Sequence, residues 1–288
     1  MLVKQLGIVG GDLRIIRLAE MLTKEEYKIY TYGLDKYDFT NNILKCKEIA
    51  EISNNCKYVI SGIPFSKDGA YVHAPFSNEQ ININKMFKAV ENKTLVAGAI
   101  EENIKKIAKA NSVNIIDLMD IEELTVLNII PTVEGAIQVA MEQTEYTINN
   151  SKCLILGFGR IGKLLAKNLK ALGADVCCVA RKESDLSWIK AYGYKAIHLD
   201  NLEENLCDKY DIIFNTVPKV ILDAKKLELI RDKNTLIIEL ASNPGGIEFE
   251  KAKEYNIEVI KAMGLPGKVA PLTAAKYIKE TLQTKIKI

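Results

Sequence analysis

The chain has 288 residues, 48% hydrophobic and 26% charged, an ordinary globular composition at a length that fits two domains. Lys+Arg number 39 and Asp+Glu 37, a net charge of +2, too balanced for a protein that grips nucleic acid through a broad basic face. The six cysteines, at 46, 56, 153, 177, 178 and 207, form no C-x-x-C pair and are expected as reduced core thiols, and two distant histidines, His73 and His198, argue against a metal centre.

From Met1 the chain runs directly into a glycine turn at Gly10, without the apolar core or small-residue site of a signal peptide. No apolar stretch approaches the roughly 20 residues needed to span a bilayer. A cytoplasmic protein without a membrane partner is therefore expected. The first unit reads strand, Gly7-Ile8-Val9-Gly10-Gly11 turn, helix to Leu22, then strand Ile29–Gly33. Further strands fit Tyr58–Ser61, Thr94–Gly98 and Asn114–Asp117. Next, a single helix is predicted from Pro131 to Ile148. Pro131 suits its first turn, and Val133, Ile137, Ala140, Met141 and Tyr146 supply its stripe.

The same strand–turn–helix–strand order then returns. Leu154-Ile155-Leu156 leads into Gly157-Phe158-Gly159-Arg160-Ile161-Gly162, a helix to Leu172 and the strand Asp175–Ala180. Strands follow at Lys195–His198, Asp211–Asn215, Thr235–Glu239 and Glu258–Ile260, and a last helix at Pro271 to about Leu282. Such a repeat is the opening of a doubly wound α/β sheet. The predicted architecture is two Rossmann-like domains separated by a cleft. Residues 1–130, with the returning helix 271–288, form a substrate and partner domain, and residues 131–270 bind NAD(P). The cleft is the default ligand site.

Gly157-x-Gly159-x-x-Gly162 follows an apolar strand and opens a helix, the context that a dinucleotide fingerprint requires. Gly157 permits the tight turn, Gly159 lets a pyrophosphate approach the helix N-terminus past Arg160 and Ile161, and Gly162 lets the helix pack closely on the strand. The first unit has Asp12 and Ile15 where the second and third glycines would fall. A carboxylate there repels pyrophosphate, so that unit is expected to bind something else. The second strand of the later unit ends Ala180-Arg181-Lys182, with no carboxylate to hold a ribose hydroxyl. Two cations there suit a 2′-phosphate, or are solvated loop residues; the reading favours NADP, with NAD tolerated. Asn215-Thr216-Val217-Pro218 and Leu240-Ala241, at later strand ends, fit the nicotinamide end or are plain turns.

No nucleophile elbow, His-Glu helix pair or paired-carboxylate motif is present. His73 and Glu134 are the candidate proton carriers; a surface loop histidine and a first-turn helix-dipole carboxylate are the alternatives. Arg14 is the candidate for a substrate carboxylate, or an exposed helix arginine. Ser61, Ser77 and Asn78 are candidate substrate hydrogen bonders, or loop residues.

Gly10-Gly11-Asp12-Leu13-Arg14, Phe76-Ser77-Asn78-Glu79 and Ile130-Pro131-Thr132-Val133-Glu134-Gly135-Ala136 stand in order with the glycine fingerprint, Ala241–Gly246 and Gly264–Pro271. In this combination the chain resembles, over nearly its whole length, the family of dipicolinate synthase A subunits of spore-forming bacteria. Its second half is also similar to the cofactor domains of adenosylhomocysteinase and the hydroxyacid dehydrogenases. The family resemblance implies an oxidoreductase that forms dipicolinate from a dihydrodipicolinate of the lysine pathway, with hydride transfer to NAD(P)⁺, in the sporulating mother cell. It implies a partner, the flavoprotein-like B subunit of the synthase, and leaves homo-oligomerisation open. A different hydroxyacid or amino-acid dehydrogenase, or a non-catalytic nucleotide-binding subunit that organises its partner, are the other readings.

Overall fold

A computed structural model describes residues 4–39 and 42–287. The chain forms two compact units, Met1–Asn128 with Pro266–Ile288, and Ile129–Leu265.

In the first unit, β1 (Gln5–Val9) leads into α1 (Leu13–Thr23) and β2 (Lys28–Tyr32). Then come β3 (Ile43–Lys45), α2 (Ile49–Asn55), β4 (Tyr58–Ile60), α3 (Ile83–Ala89), β5 (Thr94–Ala97), α4 (Glu102–Ala110) and β6 (Asn114–Asp117). The six strands are parallel, in the order β3-β2-β1-β4-β5-β6. The interior strands read as unbroken apolar runs because both faces of the sheet are covered. Leu6, Ile8, Ile60 and Val96 join one core with Ile15, Ile16 and Leu18 of α1. Val9, Val59 and Leu95 join the other with Met86 and Phe87 of α3.

α5 (Glu122–Glu142) carries the chain into the second unit. There follow β7 (Lys152–Leu156), α6 (Arg160–Ala171), β8 (Asp175–Ala180), α7 (Glu183–Ala191), β9 (Lys195–His198), α8 (Leu202–Leu206) and β10 (Ile212–Asn215). α9 (Ala224–Glu228), β11 (Leu236–Glu239), α10 (Phe249–Glu254), β12 (Val259–Lys261) and α11 (Leu265–Val269) come next. α12 (Pro271–Thr281) returns to the first unit, where Ala275 and Ile278 enter the α1 core. The second sheet is also parallel, in the order β12-β11-β10-β7-β8-β9. Counted from its own first strand, each sheet has the same doubly wound order. The strand sequence reverses direction between β1 and β4 in one and between β7 and β10 in the other, and ligands sit at such reversals.

Three expectations need correction. α5 begins nine residues before Pro131, which lies inside the helix and not in its first turn, and it stops at Glu142. Glu122 and Glu123 occupy the first turn, where negative charge opposes the positive helix end. Val133, Ile137 and Ala140 are buried as expected, but Met141 and Tyr146 are exposed. Second, α5 is long and apolar enough to cross a membrane by length and composition, with a mean hydropathy of 1.4 over its most apolar window. Half of that window is buried inside the protein. Third, five cysteines are buried and free, but Cys207 is exposed. Burial pushes the Cys153 thiol up to about 11, which keeps it protonated and inert.

Candidate functional site

The turn after β7 gives each fingerprint glycine a separate steric reason. Gly157 has φ of +98°, and a side chain on it would come within 2.6 Å of Thr216 Oγ1 and 2.7 Å of Val217 Cγ2. Gly162 lies against the turn so closely that an added Cβ would sit 2.2 Å from the Gly157 carbonyl oxygen. Gly159 differs from both: nothing lies within 4 Å of where its Cβ would be. It precedes α6 as the capping residue and offers no side chain to the N–H groups of the first turn. Those donors and the positive helix end therefore face open space, the arrangement that receives a phosphate.

A cavity of about 930 Å³ opens onto this turn. Of the expected cofactor residues, Gly157, Gly159, Arg160, Ala180, Arg181, Lys182, Thr216, Val217 and Pro218 line it. Ile161, Gly162, Asn215, Leu240 and Ala241 do not. The sequence reading missed Phe158, Lys163, Asp185, Asp200, Glu203, Lys219 and Lys226, among others of the lining. Six cations (Arg160, Lys163, Arg181, Lys182, Lys219 and Lys226) meet three carboxylates (Asp185, Asp200 and Glu203), so the cavity favours an anionic ligand. From outside the lining, Lys225 pairs with Glu203 and Asp223 pairs with Lys226. Arg181 and Lys182 are exposed, and neither side chain has an ion pair among the described residues. The volume, the bare helix end and the two exposed cations at the β8 tip together fit a dinucleotide.

Behind this wall lies a polar lock. Asn215 is fully buried, with Nδ2 donating to the Val217 carbonyl at 3.0 Å and Oδ1 accepting from the Val217 N–H at 3.2 Å. It positions the lining instead of contributing to it. Glu239, 2% exposed, accepts from Asn215 Nδ2 at 2.7 Å and from the Ala241 and Gly246 N–H groups at 2.9 Å each.

In the first unit the corresponding turn is occupied by its own chain. Asp12 caps α1, accepting from the Arg14 N–H at 3.1 Å. Arg14 is 3% exposed, which overturns the exposed-arginine reading. Its Nη2 donates to Asp12 at 2.7 Å and also to the Ile63 carbonyl, and Nε donates to Asp12 at 3.0 Å. Nη1 is left without a partner among the described residues. Gly267 lies flush on this pair, since a Cβ there would come 2.6 Å from Asp12 Oδ2.

Ser61 is fully buried, and its hydroxyl donates to the Val9 carbonyl at 2.6 Å. Ser77 is buried, and its Oγ accepts from the Glu79 N–H at 3.2 Å. Asn78 is exposed, and its N–H donates to Asp35 at 3.1 Å. Among the described residues no hydrogen bond joins Ser77 or Asn78 to Arg14. His73 is half-buried, with Nδ1 shielded from water and unpartnered. Burial foremost, then Lys67 and Arg14, pulls its pKa below the ordinary value against the pull of Asp12. Glu134 is exposed and sits deep within α5, not in a first turn, so the helix-dipole alternative does not apply.

A parallel sheet whose glycine turn and bare helix end open onto an anion-favouring cavity belongs to the nicotinamide-dependent oxidoreductases. In agreement, residues 132–241 match the family model for the D-isomer specific 2-hydroxyacid dehydrogenase, NAD binding domain. Residues 5–119 match that for the N-terminal domain of the dipicolinate synthase A subunit. Over 283 residues the chain is 34% identical to the dipicolinate synthase A subunit of Bacillus subtilis (strain 168), covering 96% of this chain and 94% of that one. The crystal structure of the Bacillus subtilis protein superposes with a TM-score of 0.85 at 32% identity, over 100% of this chain and 97% of that one. The crystal structure of its counterpart from Bacillus halodurans gives 0.87 at 30% identity, over 97% and 96%. The chain belongs to the family of dipicolinate synthase A subunits.

Proposed function

We propose that the chain oxidises a dihydrodipicolinate to dipicolinate with hydride transfer to NADP⁺, within a two-subunit dipicolinate synthase. The observation that carries this reading is the combination of a cation-rich cavity at the glycine turn of the second unit with a first unit that matches the dipicolinate synthase A family. When bound, the nicotinamide ring would supply the hydride acceptor. The first-turn N–H groups of α6 would hold the pyrophosphate, and the Thr216–Val217 wall would orient the ring and exclude water from one face. Loss of one hydride and one proton turns the dihydropyridine ring into an aromatic pyridine. Aromatisation supplies much of the driving force, so alignment matters more than a strong base. His73 and Glu134 stand as candidate proton acceptors.

Arg14, Ser77 and Asn78 are the proposed substrate contacts; Ser61, fully buried with its hydroxyl on the Val9 carbonyl, falls outside that set. Asp12 already balances the Arg14 charge, so a substrate carboxylate would gain directional bonds from Nη1 and little net attraction. For the cofactor, Arg181 and Lys182 favour the 2′-phosphate of NADP⁺ over the hydroxyl of NAD⁺. Partnership with the flavoprotein-like B subunit and the mother-cell cytoplasm as location follow from the family reading.

The test is incubation with dihydrodipicolinate and each cofactor, with and without the B subunit, following nicotinamide reduction and dipicolinate formation. Reduction coupled to dipicolinate formation is the expected result. Tight cofactor binding with no hydride transfer, even with the partner present, would leave a nucleotide-binding protein that organises its partner.

A further inference from the structure

We infer that Glu239, which does not line the cavity, is a positioning residue for the nicotinamide half of the dinucleotide site; this rests on the cofactor reading above. β10 and β11 lie side by side in parallel, with Asn215 opposite Glu239 at their carboxyl ends. A carboxylate has no hydrogen to give, so the face of the Asn215 amide turned toward Glu239 must be the NH₂ group. That choice leaves Oδ1 to accept the Val217 N–H, while Nδ2 also reaches the Val217 carbonyl. Both polar groups of one cavity-wall residue are thereby fixed by a single buried amide. Val217 in turn packs where a Gly157 side chain would be, and Thr216 donates to the Leu156 carbonyl at 2.8 Å.

The same carboxylate binds the next turn. Its Oε2 takes the Gly246 N–H, and Gly246 lies so close that an added Cβ would be 2.3 Å from Asn215 Nδ2 and 2.6 Å from the Val217 carbonyl. Glu239 thus joins the end of β10, the end of β11 and the Gly245–Gly246 turn into one piece. The joined side lies at β10 and β11. The phosphate-binding turn and the Arg181–Lys182 tip lie at β7 and β8, on the other side of the sheet reversal. In a doubly wound sheet these two sides hold the two mononucleotide halves of a dinucleotide.

Glu239→Gln keeps the shape but places an NH₂ group against the Gly246 N–H or against Asn215, where a donor faces a donor. The experiment is calorimetric titration of wild type and Glu239→Gln with NADP⁺ and 2′,5′-ADP, and with NAD⁺ and ADP. The expected result is a weakening of about tenfold for the full dinucleotides, with the adenosine fragments bound as in wild type. Equal weakening of fragment and dinucleotide would reduce Glu239 to a general structural residue and overturn the inference, as would no change in either. Should Glu239→Gln not fold, Gly246→Ala displaces the same amide and must give the same split. Failure of the wild type to bind any of the four ligands would instead overturn the cofactor reading itself.

Discussion

Gly10 and Gly157 hold the same place in two sheets of one strand order, and their N–H groups donate to equivalent carbonyls, Tyr32 at 2.9 Å and Val179 at 3.0 Å. The two turns diverge within five residues. In the first unit, Asp12 caps the helix and clamps Arg14, and Ile15 fills the position held by Gly162 in the second. The chain then folds back over the turn. The His73 carbonyl accepts the Gly11 N–H, Val72 and Ala74 pack at Gly10, and Ile81 packs at Gly33. In the second unit the capping position is a glycine with open space around it. Strand order alone therefore does not make a nucleotide site. What decides is whether the helix end at the sheet reversal is left bare or satisfied by the protein itself.

The two turns differ most sharply in what their third position tolerates. Gly162→Ala drives a methyl group into the Gly157 carbonyl and should cost about 3 kcal/mol of stability, whereas Ile15→Val at the equivalent site should cost about 1 kcal/mol. Chemical denaturation of the two variants measures both. Next is the clamp in the first unit. Arg14→Ala leaves the Asp12 carboxylate without its guanidinium and the Ile63 carbonyl without a donor, a loss of about 2–3 kcal/mol. Cofactor affinity should be unchanged, and a fall in it would mean that the first unit takes part in dinucleotide binding.

A smaller effect is expected at the β8 tip. Arg181→Ala should weaken NADP⁺ by about 1–2 kcal/mol, roughly tenfold, and leave NAD⁺ nearly untouched, because only NADP⁺ carries a 2′-phosphate. Equal losses for both cofactors in paired kinetics would remove this strand end from the specificity argument. Smallest is a pH effect at His73, whose pKa is held below the ordinary 6.5 by burial. The unfolded chain then takes up a proton that the folded chain refuses. His73 thus stabilises fully above about pH 6.5, and its contribution is lost as pH falls toward the folded value. Stability curves of wild type and His73→Gln should converge on the acid side of that window and separate above it. Parallel curves would place His73 in contact with water.

Much of this was readable in the residues, for physical reasons. Buried parallel strands must be largely apolar, so β1, β4, β5, β7, β8, β10 and β11 announce themselves, and each glycine of the second turn is dictated by a contact that forbids any side chain or by a space that must stay empty. The three-residue edge strand β3 is too short to carry a pattern. α5 was misread because proline favours a first turn, yet the residues before Pro131 already follow the helical spacing and Thr125 ties its hydroxyl back to the Ile121 carbonyl at 3.1 Å. Neither the fold-back of Val72 to Ile81 nor the Asn215–Glu239 lock can be seen along the chain. Both depend on residues brought side by side by tertiary structure, in the second case across 24 positions.

The proposed dinucleotide site lies wholly within the second unit, at the bare N-terminus of α6. Calorimetric titration with NADP⁺ of the wild type, Gly159→Val and Asp12→Ala tests it directly. Gly159→Val has room in the folded protein, so its unfolding midpoint should match wild type while its cofactor binding disappears. Asp12→Ala removes the helix cap and leaves the buried Arg14 guanidinium without its carboxylate, so it should lose about 2–3 kcal/mol of stability and retain wild-type affinity at one cofactor per chain. Binding that survives in Gly159→Val, or that vanishes in Asp12→Ala while the protein remains folded, would contradict the assignment.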